Sequence, residues 1–376
     1  MDVSVTVSAR TARTDVKSPR SVRTQSVRWA VSCALLLLCS YAGAARLGVQ
    51  VQPEGQIGAE LREQQESGQV RIAQQYGLGY LPLMIMRQLA LIEKHASAAR
   101  LGNIQVQWTL YPSGQAMNEA LKLGFLDFAS GGVVPLLRLW DETQSNAGVK
   151  GVAALASMPL YLNTRRLEVR TVRDLTEKDR IALPAVSTSI QAVVLRMAAA
   201  QAFGDEHYAR LDKLTVSMPH PEARDALLSG ASEVSAHLAS PPYQDEELTH
   251  RQVHRVFNSY DVVGGTSSFT ALWARSQFRD LNPRTYAAVF DALEEAIDIL
   301  NANKREAAKI FLQQANLPYE VDFIEKILKH PEIEYTLTPR GIQKYAKFMY
   351  RTGDIRNVPT KWQEVFFSEV HGDEGS

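Results

Sequence analysis

The chain has 376 residues, 45% of them hydrophobic, with 41 basic and 41 acidic side chains. That is enough apolar material for two lobes with real cores. No Lys/Arg stripe stands out, which argues against nucleic acid as a partner. The zero net charge averages two unlike parts. The first 44 residues hold six basic and two acidic side chains, which leaves 35 basic and 39 acidic residues in the body. That body is mildly acidic, at about −4.

Basic residues up to Arg28 lead into an apolar run at 29–40, and Ala42 and Ala44 then offer the small side chains of a signal-peptidase site. A run of about a dozen apolar residues is too short to span a membrane. The sequence therefore predicts an export signal over residues 1–44, cleaved after Ala44, and a periplasmic mature chain. The basic part is long for such a signal, which points to a start nearer Val22 or Val27. Cys39 invites a lipoprotein reading, but Leu38 before it is bulkier than lipid attachment allows. Both cysteines, Cys33 and Cys39, fall inside the signal. The mature chain then has no thiol, which excludes disulfides, CxxC chemistry and cysteine nucleophiles.

Residues 45–69 read as a polar lead-in. Order begins with a strand at 70–74, a turn holding Gln75, Tyr76, Gly77 and Gly79, and an apolar helix at 82–91. Gly77 and Gly79 lack the third glycine of a dinucleotide loop, and Pro82 falls inside that motif, so no nucleotide cofactor is expected. Residues 104–110 alternate with a period of two and predict a strand. Pro112, Ser113 and Gly114 break it, Ser113 as helix N-cap. Ala116, Met117, Ala120 and Leu121 fall at helical spacing, and Gly124 closes the helix. A buried strand is expected at 125–129, a glycine turn at 130–132 and a helix at 133–140. Parallel strands joined by a crossover helix would bring these turns to one sheet edge.

The same strand, Ser/Thr-rich turn and helix recur further on. A strand at 149–158 turns away at 157–161, a surface helical turn follows at 171–175, and a strand at 180–183 leads through Pro184, Ser187, Thr188 and Ser189 into a helix ending near Ala202. Strands at 214–218 and 233–238 flank a helix at 221–229. Pro241, Pro242 and Tyr243 make a turn, and 254–257 is a last strand. Val262 to Gly265 reads as a hinge. An apolar segment at 269–275 and helices at 283–312, 319–328 and 339–350 complete the chain.

These segments together resemble the periplasmic solute-binding proteins of ABC importers, in the nitrate, sulfonate, taurine and thiamine-pyrimidine-precursor group. The resemblance covers about residues 70–357. It is carried by the glycine turn at 74–80, the FPSG-like Tyr111-Pro112-Ser113-Gly114, and G-x-L-D-F as Gly124-Phe125-Leu126-Asp127-Phe128. The I-A-L-P segment with Ser187, Thr188 and Ser189, the Pro241-Pro242-Tyr243 turn and the C-terminal helices carry the rest. It implies an α/β fold of the two-lobed periplasmic-binding-protein type (type II), with a hinge and C-terminal helices. Residues 70–165 and 262–376 would form one lobe and 166–261 the other. It also implies a monomer that closes on a small solute and delivers it to a membrane permease, with the ATPase engaged indirectly. The chain departs from the group at Pro241-Pro242-Tyr243, where W-E-P is common, and in having His237.

Ligand contacts are expected from Gln75, Tyr76, Gly79, Ser113, Gly131, Gly132, Ser157, Ser187, Thr188, His237, Pro242 and Tyr243. Each has a plainer role beside that one: helix caps for Ser113, Ser187 and Thr188, turns for the glycines, packing for Tyr243, a buried structural histidine at His237. Trp108 reads as core or its edge. His250 and His254 lack the H-E-x-x-H context of a zinc site, and Glu294, Glu295 and Asp298 lie on an exposed helix face, so no metal is expected. An enzyme of this fold, such as a pyrimidine-precursor synthase, would carry a cysteine-rich motif that is absent here; no Gly-x-Ser-x-Gly elbow is present either. A non-enzymatic binding protein follows, without a cofactor. Helix N-termini favour an anionic head such as a sulfonate, carboxylate or nitrate. A neutral aromatic or pyrimidine-like solute stacked on Tyr76 or Tyr243 is the alternative.

Overall fold

A computed structural model describes Glu66, residues 68–146 and residues 148–376. The expected export signal, and most of the lead-in, lie outside the described residues. Among the described residues no helix is long and apolar enough to cross a membrane.

Two five-stranded mixed sheets organise the chain. The first takes β1 (Gln69–Gln74), β2 (Gln105–Leu110), β3 (Phe128–Gly132), β4 (Val149–Ser157) and, much later, β10 (Ser268–Arg275). Its order is β2-β1-β3-β10-β4; β1 runs parallel to β2 and β3, whereas β10 is antiparallel to β3 and β4. The second takes β5 (Tyr161–Thr164), β6 (Ile181–Leu183), β7 (Thr215–Ser217), β8 (Ala236–Ala239) and β9 (His254–Asn258), in the order β7-β6-β8-β5-β9. Here β6 is parallel to β7 and β8, and β5 is antiparallel to β8 and β9.

Helices cover these sheets. In the first half they are α1 (Leu81–Gln88), α2 (Leu91–Ala98), α3 (Gly114–Lys122) and α4 (Val133–Thr143). Around the second sheet lie α5 (Ile190–Phe203), α6 (His220–Ser229), α7 (Tyr243–Glu247) and α8 (Ser259–Val263). After β10 come α9 (Ser276–Leu281), α10 (Pro283–Ala302), α11 (Lys304–Ala315), α12 (Val321–Leu328) and α13 (Ile342–Arg351). The expected 283–312 helix is two helices. Asn303 breaks it by taking the Glu306 N–H on its side chain at 3.1 Å, so a new helix starts there.

Two further differences have physical causes. The expected strand at 125–129 lies three residues later, because Ser130, Gly131 and Gly132 pair with Leu272, Ala271 and Thr270 of β10 instead of turning. Gly131 must be bare there: a Cβ would stand 2.9 Å from the Trp273 ring and 2.8 Å from Gln75 Nε2. The turn expected at 157–161 passes straight into β5, which pairs in the second sheet, so the chain crosses between sheets at Met158, Pro159 and Leu160. The return passes through Gly264 and Gly265, at φ 81° and 122°, where the sequence expects a hinge.

The Gly-Phe-Leu-Asp-Phe motif is explained by one ion pair. Asp127 is buried, and both its carboxylate oxygens accept from Arg71: Nη2 at 2.7 Å, Nε at 2.9 Å, with the Arg71 backbone N–H also at 2.9 Å. Arg71 Nη1 reaches on to the Gly124 carbonyl at 2.6 Å, so β1, the end of α3 and the start of β3 are tied at one point. The hydrogen bond to Asp127 raises the Arg71 pKa above its ordinary value. Asp127→Ala strands a half-buried guanidinium and should lower unfolding free energy by roughly 2–3 kcal/mol. Denaturant titration checks this; an unchanged midpoint would show the pair to be ornamental.

Candidate functional site

The carboxyl ends of both sheets face one cleft, as ligand sites in α/β sheets do. From the first sheet come Gln75 and Tyr76 after β1, Pro112, Ser113 and Gln115 after β2, and Gly132 ending β3. The second contributes Pro184, Ala185, Thr188 and Ser189 after β6, Gln191 on α5, and His220 after β7. Ile190 and Phe269 add apolar wall. Three helices open here: α3 at Gly114, α4 directly after Gly132, and α5 at Ile190. Their first N–H groups have no partner within the helix, and each end carries roughly half a positive charge. Among the described residues that line the cleft, none is Lys, Arg, Asp or Glu.

The cleft is shut. Leu78 N–H donates to the Pro241 carbonyl at 2.9 Å, Thr188 Oγ1 to Gln115 Oε1 at 3.2 Å, and Arg138 Nη2 to the Ser187 carbonyl at 2.7 Å. Asp354, from the C-terminal segment, is held by Arg138 of α4 at 2.9 Å and Arg196 of α5 at 3.2 Å. Two glycines allow this approach. Gly77, at φ 106°, would put a Cβ 3.0 Å from the Pro241 carbonyl, and Gly132 would put one 2.8 Å from Ile190 Cγ2. About 30 Å³ is left inside, room for a water or two.

A larger cavity of about 390 Å³ adjoins it, sharing Gln75 and Tyr76 as wall. Met84, Trp108, Leu110 and Leu317 line one side of it, Pro219, Pro221 and Tyr243 the other, with Arg87 and Glu222 at its edge. Leu110 is 48% exposed at this rim. Burial raises the Tyr243 pKa, so its hydroxyl stays protonated.

The expected site residues divide. Gln75, Tyr76, Ser113, Gly132 and Thr188 line the cleft, and Tyr243 lines the adjoining cavity. Ser113 is also the N-cap of α3, taking the Ala116 N–H at 3.4 Å. Gly131 lies behind Gln75 within β3, and Gly79 packs against Phe269, where a Cβ would meet the ring at 2.8 Å. Ser157 is buried within β4, and Pro242 is buried as N-cap of α7. Ser187 is exposed at φ 64°, its Oγ 3.4 Å from Arg196 Nη2, because the left-handed backbone turns it out of the cleft. His237 is fully buried and reaches the cleft only through His220, 2.8 Å away. Residues that sequence reasoning passed over are Gln115, Gln191 and His220. Of these, His220 carried a signal: it follows a predicted strand and sits between two prolines, Pro219 and Pro221. His254 Nε2 meets the Val169 carbonyl at 2.7 Å.

No family model and no curated protein sequence matches the chain. Solved structures do. The alkanesulfonate-binding protein SsuA from Xanthomonas axonopodis pv. citri, bound to MOPS, superposes with a TM-score of 0.60 at 20% identity, over 79% of this chain and 96% of its own. The periplasmic aliphatic sulphonate binding protein SsuA from Escherichia coli gives 0.59 at 18%, over 81% and 99%. The periplasmic nitrate-binding protein NrtA from Synechocystis PCC 6803 gives 0.60 at 15%, over 79% and 83%. The chain has the periplasmic-binding-protein fold.

A side chain at position 132 should act as a wedge. Its φ of −60° and ψ of 151° suit any residue, so Gly132→Val costs little in backbone strain but collides with Ile190. Small-angle scattering should show a larger radius of gyration than for the unaltered protein. An unchanged radius would mean that Ile190 simply yields.

Proposed function

We propose that this chain is an extracytoplasmic solute-binding protein that closes on a small organic anion and delivers it to an ABC transporter permease. One observation carries the reading: three helix N-termini converge on a shut cleft whose lining holds no charged side chain, and that cleft adjoins an apolar cavity. Positive dipole ends brought together without a carboxylate favour a ligand that supplies the negative charge. Ser113, Gln115, Thr188 and the first N–H groups of α3 and α5 hold its head. Trp108, Leu110 and Tyr243 cover an apolar body in the adjoining cavity. The structural neighbours, which are sulfonate- and nitrate-binding proteins, support the same class of solute.

Calorimetry with methanesulfonate, butanesulfonate, butyrate and nitrate tests this. Trp108→Ala should weaken butanesulfonate by roughly 1–2 kcal/mol, the worth of the apolar area uncovered, and leave methanesulfonate unchanged. Equal loss for both would remove the apolar body from the reading. Failure of every anion to bind would overturn the function.

Export over residues 1–44 belongs to the same proposal. The exported protein should begin at Ala45 when its N-terminus is sequenced. A mature start upstream of Arg28 would exclude signal cleavage, and a lipid-bearing start at Cys39 would make the protein a lipoprotein instead.

A further inference from the structure

Behind the cleft a line of buried polar side chains runs into the second lobe. Gln191 Nε2 stands 3.2 Å from His220 Nε2, His220 Nδ1 stands 2.8 Å from His237 Nε2, and His237 Nδ1 stands 2.6 Å from Glu247 Oε1. Glu247 Oε2 accepts from Asn163 Nδ2 at 2.8 Å. His237, Glu247 and Asn163 are fully buried, and Gln191 and His220 line the cleft. With Glu247 as carboxylate, every proton in the line is assigned. His237 donates from Nδ1, its Nε2 accepts from His220 Nδ1–H, and His220 is left with a bare Nε2 facing the Gln191 amide. In this state Gln191 spends its amide N–H on that lone pair and leaves its oxygen on the cleft side, where an anionic head would sit, and the far end holds a buried negative charge with two neutral donors. Both features are unfavourable.

The other charged groups nearby do not relieve it. On α6, Arg224 is taken by Asp225 and by Glu246 of α7. On α5, Arg196 is taken by Asp212 and Asp354. Asp245 is acidic and pushed up to about 7 by burial, and Lys326 acts on that carboxyl. Tyr243 stacks on His220 at 5.7 Å with its hydroxyl held protonated, and Tyr76 lies beyond it. Glu222 begins the exposed side of α6, and Tyr161 on β5 sits beneath Arg255.

We propose that the Glu247–His237–His220 line is a proton-coupled specificity device: an anionic solute is bound together with one proton, which turns His220 from acceptor to donor. The inference rests on the cleft being the solute site. One proton from solvent joins His220 Nε2, and the proton on His220 Nδ1 passes to His237 Nε2. His237 becomes an imidazolium against the Glu247 carboxylate, and His220 remains neutral. Its new Nε2–H donates to the Gln191 oxygen, and the Gln191 amide, turned over, presents its NH2 group to the anion. The buried charge gains a partner, and the cleft gains a donor without holding a charge of its own. A neutral solute that offers an N–H would find the opposite polarity and take up no proton.

Calorimetry of the same four anions, run at one pH in phosphate and in Tris, reads the proton directly from the difference in heat. Close to one proton should be taken up per anion bound, and affinity should fall as pH rises, by up to tenfold per unit wherever the complex holds the proton and the free protein does not. Glu247→Gln should remove both the uptake and the pH dependence. Nitrogen NMR of the unaltered protein gives a readout independent of that variant's folding: His220 Nε2 should change from unprotonated to protonated on addition of the anion, and His237 should carry protons on both nitrogens. Binding with equal heats in the two buffers, or histidine signals unmoved by the bound anion, overturns the relay and leaves the solute reading standing. No binding by any of the four overturns both.

Discussion

A side chain at position 132 would push against Ile190 while the lobes are shut, and the close fit of the cleft depends on its absence. Gly132 ends β3 and begins α4, and Ile190 begins α5 in the other lobe; a Cβ on one would touch the other at 2.8 Å. The contact brings two helix N-termini, positive at both ends, to van der Waals distance, with that of α3 beside them. Such an arrangement is repulsive by itself. It is held by bonds made elsewhere: the backbone bond from Leu78 to Pro241, and the carboxylate of Asp354 shared between Arg138 and Arg196. The carboxylate part of that latch is charged and peripheral, and the cleft lining is uncharged and central. Separating the two lets closure be strong without filling the site with counter-charges.

Rigid support behind the cleft comes from the same economy of polar groups. Asp127 and Arg71 tie the loop before β3 to β1, which carries Gln75 and Tyr76 at its end. Ser130 Oγ donates to the Ala73 carbonyl at 2.7 Å, and Gln75 Nε2 to the Ser130 carbonyl at 3.3 Å. The first lobe thus fixes Gln75 from two sides. In the second lobe Ser189 donates to the Ala185 carbonyl at 2.7 Å and accepts from Ala192 N–H at 3.2 Å, which shapes the turn that carries Thr188.

What the sequence revealed follows the range of the forces involved. Local signals were legible: the Ser113 cap, the glycine ending α3, the strand at 104–110. So was the order of elements, whose sum carries the resemblance to a two-lobed fold. What was not legible depends on partners distant in sequence. Ser130, Gly131 and Gly132 read as a turn until β10, well over a hundred residues on, pairs with them. Ser187 reads as one hydroxyl among three, but Arg138 and Arg196 draw it outward. His237 stood out because it departs from a familiar pattern, yet it touches the cleft only through His220, which periodicity passes over as the start of a helix.

An uncharged lining also bears on release. A binding protein for import must hold its solute against escape and then give it up when the lobes part. An arginine would keep its charge on the anion in the open state as well as the closed one. Helix ends and hydroxyls behave differently, because their hold depends on water being excluded and on both lobes contributing at once. When Thr188 and the start of α5 move away from Gln115 and the start of α3, each half offers only dipoles that water can satisfy. On the proposed function, affinity is then a property of closure itself, and parting the two lobes would discharge the solute.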